Sequence, residues 1–277
     1  MPASPLISAV DLKDAMRTAT SPLVLDVRWA LGVGADREAF NQAHIPGAQF
    51  VDLDHDLSGP PGSNGRHPLP SPETFVKAMQ RVGVNNTSLV VCYDERDGAA
   101  ASRAWWLLRY YGHENVQVLD GGLAAWKEAG FILHDTSIYR YPGNFSGAPG
   151  AMGVIEVDAV IDYTDSGTLL DARAAERFSG EVEPIDPVAG HIPGARNAPT
   201  TDNLAETGQF LSQEALTERF QGLGLTPESQ VGVYCGSGIT AAHQVLALEI
   251  AGIKADLYPG SWSEWCADSS RPVATGD

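Results

Sequence analysis

The stretch Val231-Gly232-Val233-Tyr234-Cys235-Gly236-Ser237-Gly238-Ile239-Thr240-Ala241 joins a short apolar run to a helical pattern. The apolar run predicts a buried strand, and the residues from Thr240 to Ala251 predict a helix that ends before Gly252. The glycines between them permit a tight loop whose backbone N–H groups turn inward, at the positively polarised start of the helix. Such a site stabilises a thiolate, so we interpret Cys235 as a nucleophile rather than as a small buried hydrophobic residue.

The chain repeats its own pattern in its second half. Four segments recur in the same order: Leu23–Arg28 as Leu169–Arg173, His44–Ala48 as His191–Ala195, Leu89–Asp94 as Gln230–Cys235, and Gly121–Trp126 as Gly260–Trp265. A repeat of this length predicts two similar domains. We place them at residues 1–138 and 153–277, joined by a linker at 139–152 that is rich in proline and glycine.

Within each half, short apolar runs alternate with helical patterns. Strands are predicted at Val24–Val27, Leu89–Tyr93, Val116–Leu119, Leu169–Asp171, Val231–Tyr234 and Ala255–Tyr258. Helices are predicted at Glu73–Val82, Ala100–Tyr111, Leu123–Ala129, Gln213–Gly222 and Thr240–Ala251. This alternation predicts an α/β fold, in which each domain is a mostly parallel sheet with helices on both faces. Sites in such folds lie at the carboxyl ends of strands, which is where Cys235 falls.

Composition limits the partners that the chain can bind. With 277 residues, 43% of them apolar, the chain can bury a sizeable core, and its net charge of −17 argues against nucleic acid and anionic membranes as partners. Three scattered cysteines predict neither a disulfide framework nor a zinc site, and they fit a reducing, cytoplasmic location. No apolar run is long enough to span a membrane.

The doubled domain, the two His-Ile-Pro-Gly-Ala turns and the loop Cys235–Ala241 resemble the two-domain rhodanese family. The loop itself resembles the 3-mercaptopyruvate sulfurtransferase branch of that family. The resemblance implies a sulfurtransferase with two tandem rhodanese-like domains that needs no metal or organic cofactor. Cys235 would take sulfur from a small anionic donor as a persulfide and pass it to cyanide, a thiol or a dithiol protein. Only the C-terminal domain of the family carries the nucleophile, and here Asp94 occupies the corresponding place in the first half, which is therefore expected to be catalytically silent.

The resemblance also implies catalytic partners for Cys235. Ser237, Asp54 and His67 match residues that assist proton transfer or orient the substrate in the family. Asp54 and His67 belong to the first half of the sequence, so the assignment requires a cleft between the domains. The alternative for each of the two is an ordinary residue of a surface loop.

Donor binding is expected from Arg177, which matches a family arginine, and from the loop residues Gly236, Gly238, Ile239 and Thr240. A planar guanidinium can hold a carboxylate through two hydrogen bonds. The alternatives are an interdomain salt bridge for Arg177 and a hydroxyl at the helix start for Thr240.

The donor itself is predicted from charge. Gly236 and Ser237 carry no cation, which favours mercaptopyruvate, with one carboxylate, over dianionic thiosulfate. Mercaptopyruvate enzymes often have a second arginine nine residues after the first, where this chain has Asp186. Either Arg66 or Arg196 could replace that arginine, or donor binding could be weaker or different.

Three other functions are alternatives to a mercaptopyruvate sulfurtransferase. A thiosulfate-preferring sulfurtransferase would use the same mechanism. The intact Cys235 loop argues against a non-catalytic sulfur-carrier module, although a role as a carrier to a specific partner stays open. A phosphatase or arsenate reductase usually needs an arginine six residues after the cysteine, and Ala241 stands there instead. Cys92, inside a predicted strand, is expected to be inert, and Cys266 to be a partly buried thiol.

Overall fold

The computed structural model describes residues 4–276, which form two compact units. The first unit contains residues 4–59, 70–152 and 206–210, and the second contains 60–69, 153–205 and 211–276. Residues 60–69 thus fold with the second unit although they belong to the first repeat. The segment 139–152 groups with the first unit, and the domain boundaries placed at 138 and 153 stay a prediction.

The first unit is built on a five-stranded parallel sheet with the order β1-β7-β6-β2-β5. Its strands are β1 (Leu6–Ile7), β2 (Leu23–Asp26), β5 (Gln49–Phe50), β6 (Val90–Tyr93) and β7 (Val116–Leu119), and a separate antiparallel hairpin joins β3 (Trp29–Ala30) to β4 (Gly34–Ala35). Its helices are α1 (Ala9–Ala15), α2 (Arg37–Gln42), α3 (Leu53–Asp56), α4 (Pro72–Arg81), α5 (Ala99–Tyr110) and α6 (Gly122–Glu128).

The core of the first unit follows from the two-residue period of its strands. Val91 and Tyr93 of β6 point to one face, where they join a buried cluster with Phe40 of α2 and Trp126 of α6. The alternate residues of β6 point to the opposite face, and α5 contacts both β6 and β7. Strands covered on both faces are continuous apolar runs, which is why β2 and β6 were predictable.

The second unit repeats this arrangement with a four-stranded parallel sheet in the order β11-β10-β8-β9. Its strands are β8 (Thr168–Asp171), β9 (Arg196–Asn197), β10 (Val231–Tyr234) and β11 (Asp256–Leu257). Its helices are α7 (Val160–Ser166), α8 (Ala175–Ser179), α9 (Gln213–Gly222), α10 (Ile239–Ile250) and α11 (Ser261–Trp265), with two 3-10 turns at Val157–Ala159 and Thr200–Asn203. The equivalent strands of the first unit have the order β7-β6-β2-β5, so the predicted repeat and α/β fold are confirmed.

Both units fasten a central strand with a buried ion pair. Asp26 ends β2 and is held by the Arg28 guanidinium at 2.8 to 3.1 Å, and Asp171 ends β8 and is held by Arg173 at 2.6 to 3.0 Å. Each guanidinium also donates to the backbone carbonyl that precedes a His-Ile-Pro-Gly-Ala turn, at 2.7 Å. These hydrogen bonds compensate the burial of the charges and fix the turns to the strand ends. Within residues 4–276, no helix is long and apolar enough to cross a membrane.

Candidate active site

Cys235 lies between β10 and α10, at the junction that the sequence singled out. Its Sγ atom accepts the backbone N–H of Gly238 at 3.1 Å, and its side chain is almost completely buried. Gly238 has φ of +80°, and a Cβ atom there would lie 2.4 Å from the Pro259 carbonyl oxygen, so a side chain does not fit. The junction therefore holds a sulfur at the positive end of a 12-residue helix.

A second segment, for which the sequence indicates no role, supports this loop. The Ser261 hydroxyl accepts the backbone N–H of Cys235 at 3.1 Å and donates to the Tyr258 carbonyl at 2.9 Å. The next two amides continue the support, since Trp262 N–H donates to the Cys235 carbonyl and Ser263 N–H donates to the following carbonyl, both at 2.9 Å. The segment after β11 thus fixes the backbone on which the sulfur is carried.

Ser261 achieves this contact from a strained backbone conformation. Its φ is +54°, and among residues 4–276 it is the one non-glycine residue with a positive φ. Such a conformation costs on the order of 1–3 kcal/mol and is found preferentially at functional sites. The internal repeat aligns Ser261 with Gly122 of the first unit, which has φ of +56°. A glycine at the equivalent position was therefore an indication that Ser261 adopts a positive φ.

The segment 60–69 brings two more side chains to the loop of the second unit. Its backbone is anchored where Arg66 N–H donates to the Ser263 hydroxyl at 3.1 Å. The next residue, His67, has its Nδ1 atom 2.8 Å from the Ser237 hydroxyl. The expectation that His67 would need a cleft between domains is therefore wrong, because the segment that carries it folds with the second unit.

Asp54 is placed differently. It belongs to α3 of the first unit, where its carboxylate accepts the Trp29 indole N–H at 3.0 Å. Its expected participation in the chemistry of Cys235 stays a prediction.

Arg177 of α8 and Arg66 both lie over the loop. A Cβ atom at Gly236 would be 3.0 Å from Arg66 Nη2 and 3.4 Å from Arg177 Nη1. Both guanidinium groups are ion-paired: Arg177 with Glu183 at 2.7 Å and with Asp186 at 3.3 Å, and Arg66 with Asp186. The loop has no cation of its own, as the sequence indicated. Two arginines from other segments place their guanidinium groups beside Gly236, the residue that follows Cys235.

The structure shows where the ion pairs of Arg177 lie and which second arginine is near the loop. The Arg177 partners Glu183 and Asp186 belong to the same unit, so the salt bridge expected between domains is instead a local one. Of the two arginines considered as replacements at the loop, Arg66 lies there, whereas the Arg196 guanidinium donates to the Leu223 carbonyl at the end of α9.

The carboxylates of this cluster have shifted acidities. Burial raises the pKa of Asp186 despite the nearby charges of Arg66 and Arg177. Burial also acts to raise the pKa of Glu183, but its hydrogen bonds with Arg177 and with backbone N–H groups outweigh burial and lower it.

The remaining loop residues are placed by α10. Ile239 is its first residue and belongs to the buried core, and Thr240 is its second, half-buried residue. The helix is capped by Gly238, and no side-chain capping bond is formed at this end within the described chain. Thr240 thus lies in the first turn of α10, as expected for a hydroxyl at the helix start, although it forms no side-chain capping bond within residues 4–276. Contact of the donor with Gly236, Gly238, Ile239 and Thr240 stays a prediction.

The other two cysteines differ from Cys235 in their surroundings. Cys92 is completely buried inside β6, and burial raises the pKa of its thiol far above the usual range. Burial raises the pKa of Cys266 to about 11. All three cysteines are free, and residues 4–276 contain no group of three or more His, Cys, Asp or Glu side chains that could hold a metal ion.

Comparison with known proteins decides the family. The rhodanese-like domain matches the chain twice, over residues 8–129 and 156–268. The chain belongs to the rhodanese family. Its fold is similar to the crystal structure of SseA from Escherichia coli, described as a 3-mercaptopyruvate sulfotransferase, with a TM-score of 0.81 and 36% identity over 95% of this chain and 100% of that one.

Two curated relatives of this rhodanese-family chain cover almost its full length. A probable 3-mercaptopyruvate sulfurtransferase of Pseudomonas aeruginosa is 50% identical over 92% of this chain and 93% of its own length. A putative thiosulfate sulfurtransferase, SseB, of Mycobacterium tuberculosis is 42% identical over 98% of this chain and 97% of its own. The expected family, fold and enzyme class, a sulfurtransferase, are confirmed.

Proposed function

We propose that this sulfurtransferase takes the sulfur of 3-mercaptopyruvate onto Cys235 as a persulfide and transfers it to a thiophilic acceptor. The observation that carries the proposal is the Cys235 Sγ atom, which accepts the Gly238 N–H at the N-terminus of α10. A thiolate and a persulfide anion are both stabilised by such a donor and by the helix dipole. One loop can therefore serve both covalent states of the catalytic cycle.

The first half-reaction forms one bond and breaks one. The Cys235 thiolate attacks the donor sulfur, a sulfur–sulfur bond forms, and the carbon–sulfur bond of mercaptopyruvate breaks. The electron pair of that bond leaves as the enolate of pyruvate, which takes the proton of the donor thiol at carbon. In the second half-reaction cyanide, a thiol or a dithiol protein attacks the outer sulfur, and the Cys235 thiolate is released.

The neighbouring side chains have defined tasks in this scheme. Arg177 binds the donor carboxylate, for which its planar guanidinium is suited. The Ser237 hydroxyl, 2.8 Å from His67 Nδ1, holds the proton that passes from the donor thiol to the enolate carbon. No metal or organic cofactor enters these steps, and three free thiols support a cytoplasmic location.

A second donor, thiosulfate, is favoured by a specific observation. Two guanidinium groups rather than one lie within 3.4 Å of the position that a Cβ atom of Gly236 would take, so thiosulfate can be bound by two cations, although the paired carboxylates of Glu183 and Asp186 reduce the preference for a dianion. The identity of 42% to the putative thiosulfate sulfurtransferase points in the same direction.

Mass spectrometry of the intact protein tests the proposal. We expect incubation with 3-mercaptopyruvate to add the mass of one sulfur atom and to release pyruvate, and cyanide to remove that sulfur as thiocyanate. The same measurement with thiosulfate compares the two donors on one preparation. A protein that gains sulfur from neither donor, while Cys235 is alkylated stoichiometrically by iodoacetamide, would contradict the proposed activity.

A further inference from the structure

Four charged side chains form a cluster beside the Cys235 loop, and Arg173, which is paired with Asp171, also contacts Glu183 at 3.4 Å. We call Arg66, Arg177, Glu183 and Asp186 the mouth cluster. Asp186 bridges both arginines, and Glu183 binds Arg177 at 2.7 and 3.0 Å. Two positive and two negative charges make the mouth cluster neutral, so a guanidinium needed by an anionic donor is already bound to a carboxylate of the protein.

The two arginines face the nucleophile loop rather than only their carboxylate partners. Arg66 Nη2 and Arg177 Nη1 lie 3.0 and 3.4 Å from the Cβ position of Gly236, the residue after Cys235. Within residues 4–276, Arg66 Nε is buried without a hydrogen-bond partner, and no acceptor is bonded to Arg177 Nη1. Each guanidinium thus retains an N–H group that no acceptor of the described chain binds, and both guanidinium groups lie next to the backbone of Gly236.

The two carboxylates are held with unequal strength. Glu183 is fixed by backbone N–H groups of Ile185 and Asp186, at 3.1 and 3.0 Å, and its side chain is 3% exposed. The Asp186 side chain is 4% exposed, and its carboxylate accepts hydrogen bonds from the arginines alone within the described chain. Burial raises the pKa of this carboxyl, so Asp186 is the less stabilised carboxylate of the two.

We propose that Arg66 and Arg177 together form the anion site for the sulfur donor, and that the Asp186 carboxylate competes with the donor for both. This inference rests on the proposed sulfurtransferase function and concerns the choice of donor. A donor carboxylate replaces the Asp186 carboxylate at the two guanidinium groups, one negative charge for another. Because Asp186 stays tethered nearby, a bound monoanion leaves the mouth cluster with one net negative charge and a bound dianion leaves it with two, so the dianion is disfavoured relative to the monoanion.

Asp186 is accordingly a specificity-determining residue that acts through the two arginines. Replacing it with asparagine keeps its shape and removes its charge, leaving the mouth cluster with one net positive charge. Both donors then bind more tightly, and thiosulfate gains more than mercaptopyruvate. We expect the thiosulfate-to-mercaptopyruvate ratio of kcat/KM to rise at least about tenfold in Asp186→Asn.

The test measures both half-reactions and an inert anion. For Asp186→Asn we expect a lower KM for each donor, stronger competitive inhibition by sulfate, and an unchanged rate at which cyanide discharges the persulfide. Arg66→Gln should raise the KM for both donors, thiosulfate more than mercaptopyruvate, and leave discharge unchanged. Glu181→Gln is the matched control, because Glu181 is an exposed acid of the same segment, and it should leave the donor ratio unaltered.

The outcomes separate this inference from the proposed function. If the wild-type protein forms no persulfide from either donor, the proposed function fails. If it forms the persulfide, but Asp186→Asn changes neither the donor ratio nor sulfate inhibition, Asp186 is only structural and the inference is overturned. Should Asp186→Asn not fold, Arg66→Gln still decides, since an unchanged donor KM would remove Arg66 from the anion site.

Discussion

The two units hold different acidic side chains in the same kind of backbone cradle. In the second unit the Cys235 sulfur follows β10 and accepts one backbone N–H at 3.1 Å. In the first unit the Asp94 carboxylate follows β6 and accepts four backbone N–H groups at 3.0 to 3.1 Å, from Arg96, Gly98, Ala100 and Ala101. In both units the strand–loop–helix junction therefore directs backbone N–H donors at an acidic side chain, and the residue placed there decides whether that side chain can act as a nucleophile.

The segments that hold the Asp94 and Cys235 loops in place, at the starts of α6 and α11, differ by one hydroxyl. An amide of α6 donates to the Asp94 carbonyl and an amide of α11 donates to the Cys235 carbonyl, both at 2.9 Å. The residues just before those amides are Gly122 and Ser261, with nearly the same positive φ. The second unit accepts backbone strain there and gains a hydroxyl that binds the nucleophile's own N–H group.

The charges that face the cradles also differ. Asp97 acts on Asp94 with a like charge, whereas Arg66 and Arg177 lie beside the loop of Cys235. The second unit therefore presents a pair of guanidinium groups beside its cysteine. That the first unit is catalytically silent stays a prediction.

The largest effect should come from exchanging the nucleophile. Cys235→Ser should abolish persulfide formation while the fold is kept, because the hydroxyl is a far weaker nucleophile. Adding Asp94→Cys to Cys235→Ser should not restore transfer, since the cradle of the first unit lacks the arginine pair. Intact mass and thiocyanate release measure both variants.

Cys266→Ser is the control for this experiment, because Cys266 lies in the same unit and burial raises the pKa of its thiol to about 11. It should remain active. A persulfide on the cysteine introduced at position 94 would show that the cradle alone is sufficient and that the arginines are dispensable.

The next largest effect should come from removing the positive charge of Arg177, the proposed binding partner of the donor carboxylate. Arg177→Ala should lower kcat/KM for mercaptopyruvate by about 10- to 150-fold, because a charged hydrogen bond to an anion contributes roughly 1.5–3 kcal/mol. Discharge of the persulfide to cyanide should change less, since cyanide carries no carboxylate. Steady-state kinetics with mercaptopyruvate and single-turnover discharge separate the two steps.

Arg196→Ala is the matched control for Arg177→Ala. Arg196 belongs to the same unit, is exposed, and donates to the Leu223 carbonyl at 2.6 Å. It should leave kcat/KM near the wild-type value. Unchanged kinetics in Arg177→Ala itself would assign Arg177 to the salt bridge with Glu183 and Asp186 alone.

Much of the correspondence between the Asp94 and Cys235 loops could be predicted from the sequence, because it depends on local patterns. Apolar runs and glycine positions predicted β10 at its observed bounds and α10 to within one residue, and the repeat aligned Asp94 with Cys235. The sequence placed the Thr240 hydroxyl at the helix start, where it is the second residue of α10, whereas Gly238, in a left-handed conformation, occupies the capping position.

What the sequence did not predict depends on contacts between distant residues. Arg66 is 197 residues from Ser263, whose hydroxyl anchors its backbone, and 120 residues from Asp186. No local pattern indicates that residues 60–69 leave the unit of their own repeat. The hydroxyl of Ser261 was missed because its role requires a positive φ, which is unusual for serine.

A smaller effect, on stability, should follow from the strained serine. Ser261→Ala loses two hydrogen bonds and keeps the left-handed strain, so it should destabilise the second unit by about 1–2 kcal/mol. Ser261→Gly loses the same bonds but relieves the strain, so it should be about 1 kcal/mol more stable than Ser261→Ala. Hydrogen exchange of the α10 amides measures both.

The first unit provides the contrast for these variants. A side chain at Gly122 would place Cβ 2.6 Å from the Asp94 carbonyl oxygen, so Gly122→Ser should destabilise the first unit rather than reproduce the support of the second. If Ser261→Ala proved more stable than Ser261→Gly, the positive φ would carry no cost, and the two supports would differ only in their hydroxyl.

The smallest effect should be a pH dependence in the stability of the first unit, caused by the titration of Asp94. Burial raises the pKa of Asp94 to about 7, assisted by the charge of Asp97 and opposed by the backbone N–H groups that the carboxylate accepts. The folded-state pKa thus lies above the unfolded one, so the folded state binds the proton more tightly. Stability from this group must therefore rise as the pH falls through 7 and be lost above it.

Asp94→Asn removes this titration, and the comparison with wild type cancels the other titrating groups. Between pH 8 and pH 6 the stability of the wild-type first unit should increase by about 1 kcal/mol relative to Asp94→Asn, as linkage requires for a pKa near 7. Hydrogen exchange of the α5 amides, corrected for the intrinsic pH dependence of exchange, measures the difference. A difference that does not vary with pH would mean that Asp94 stays ionised throughout. The four backbone N–H groups would then outweigh burial, and the first cradle would hold a permanent anion.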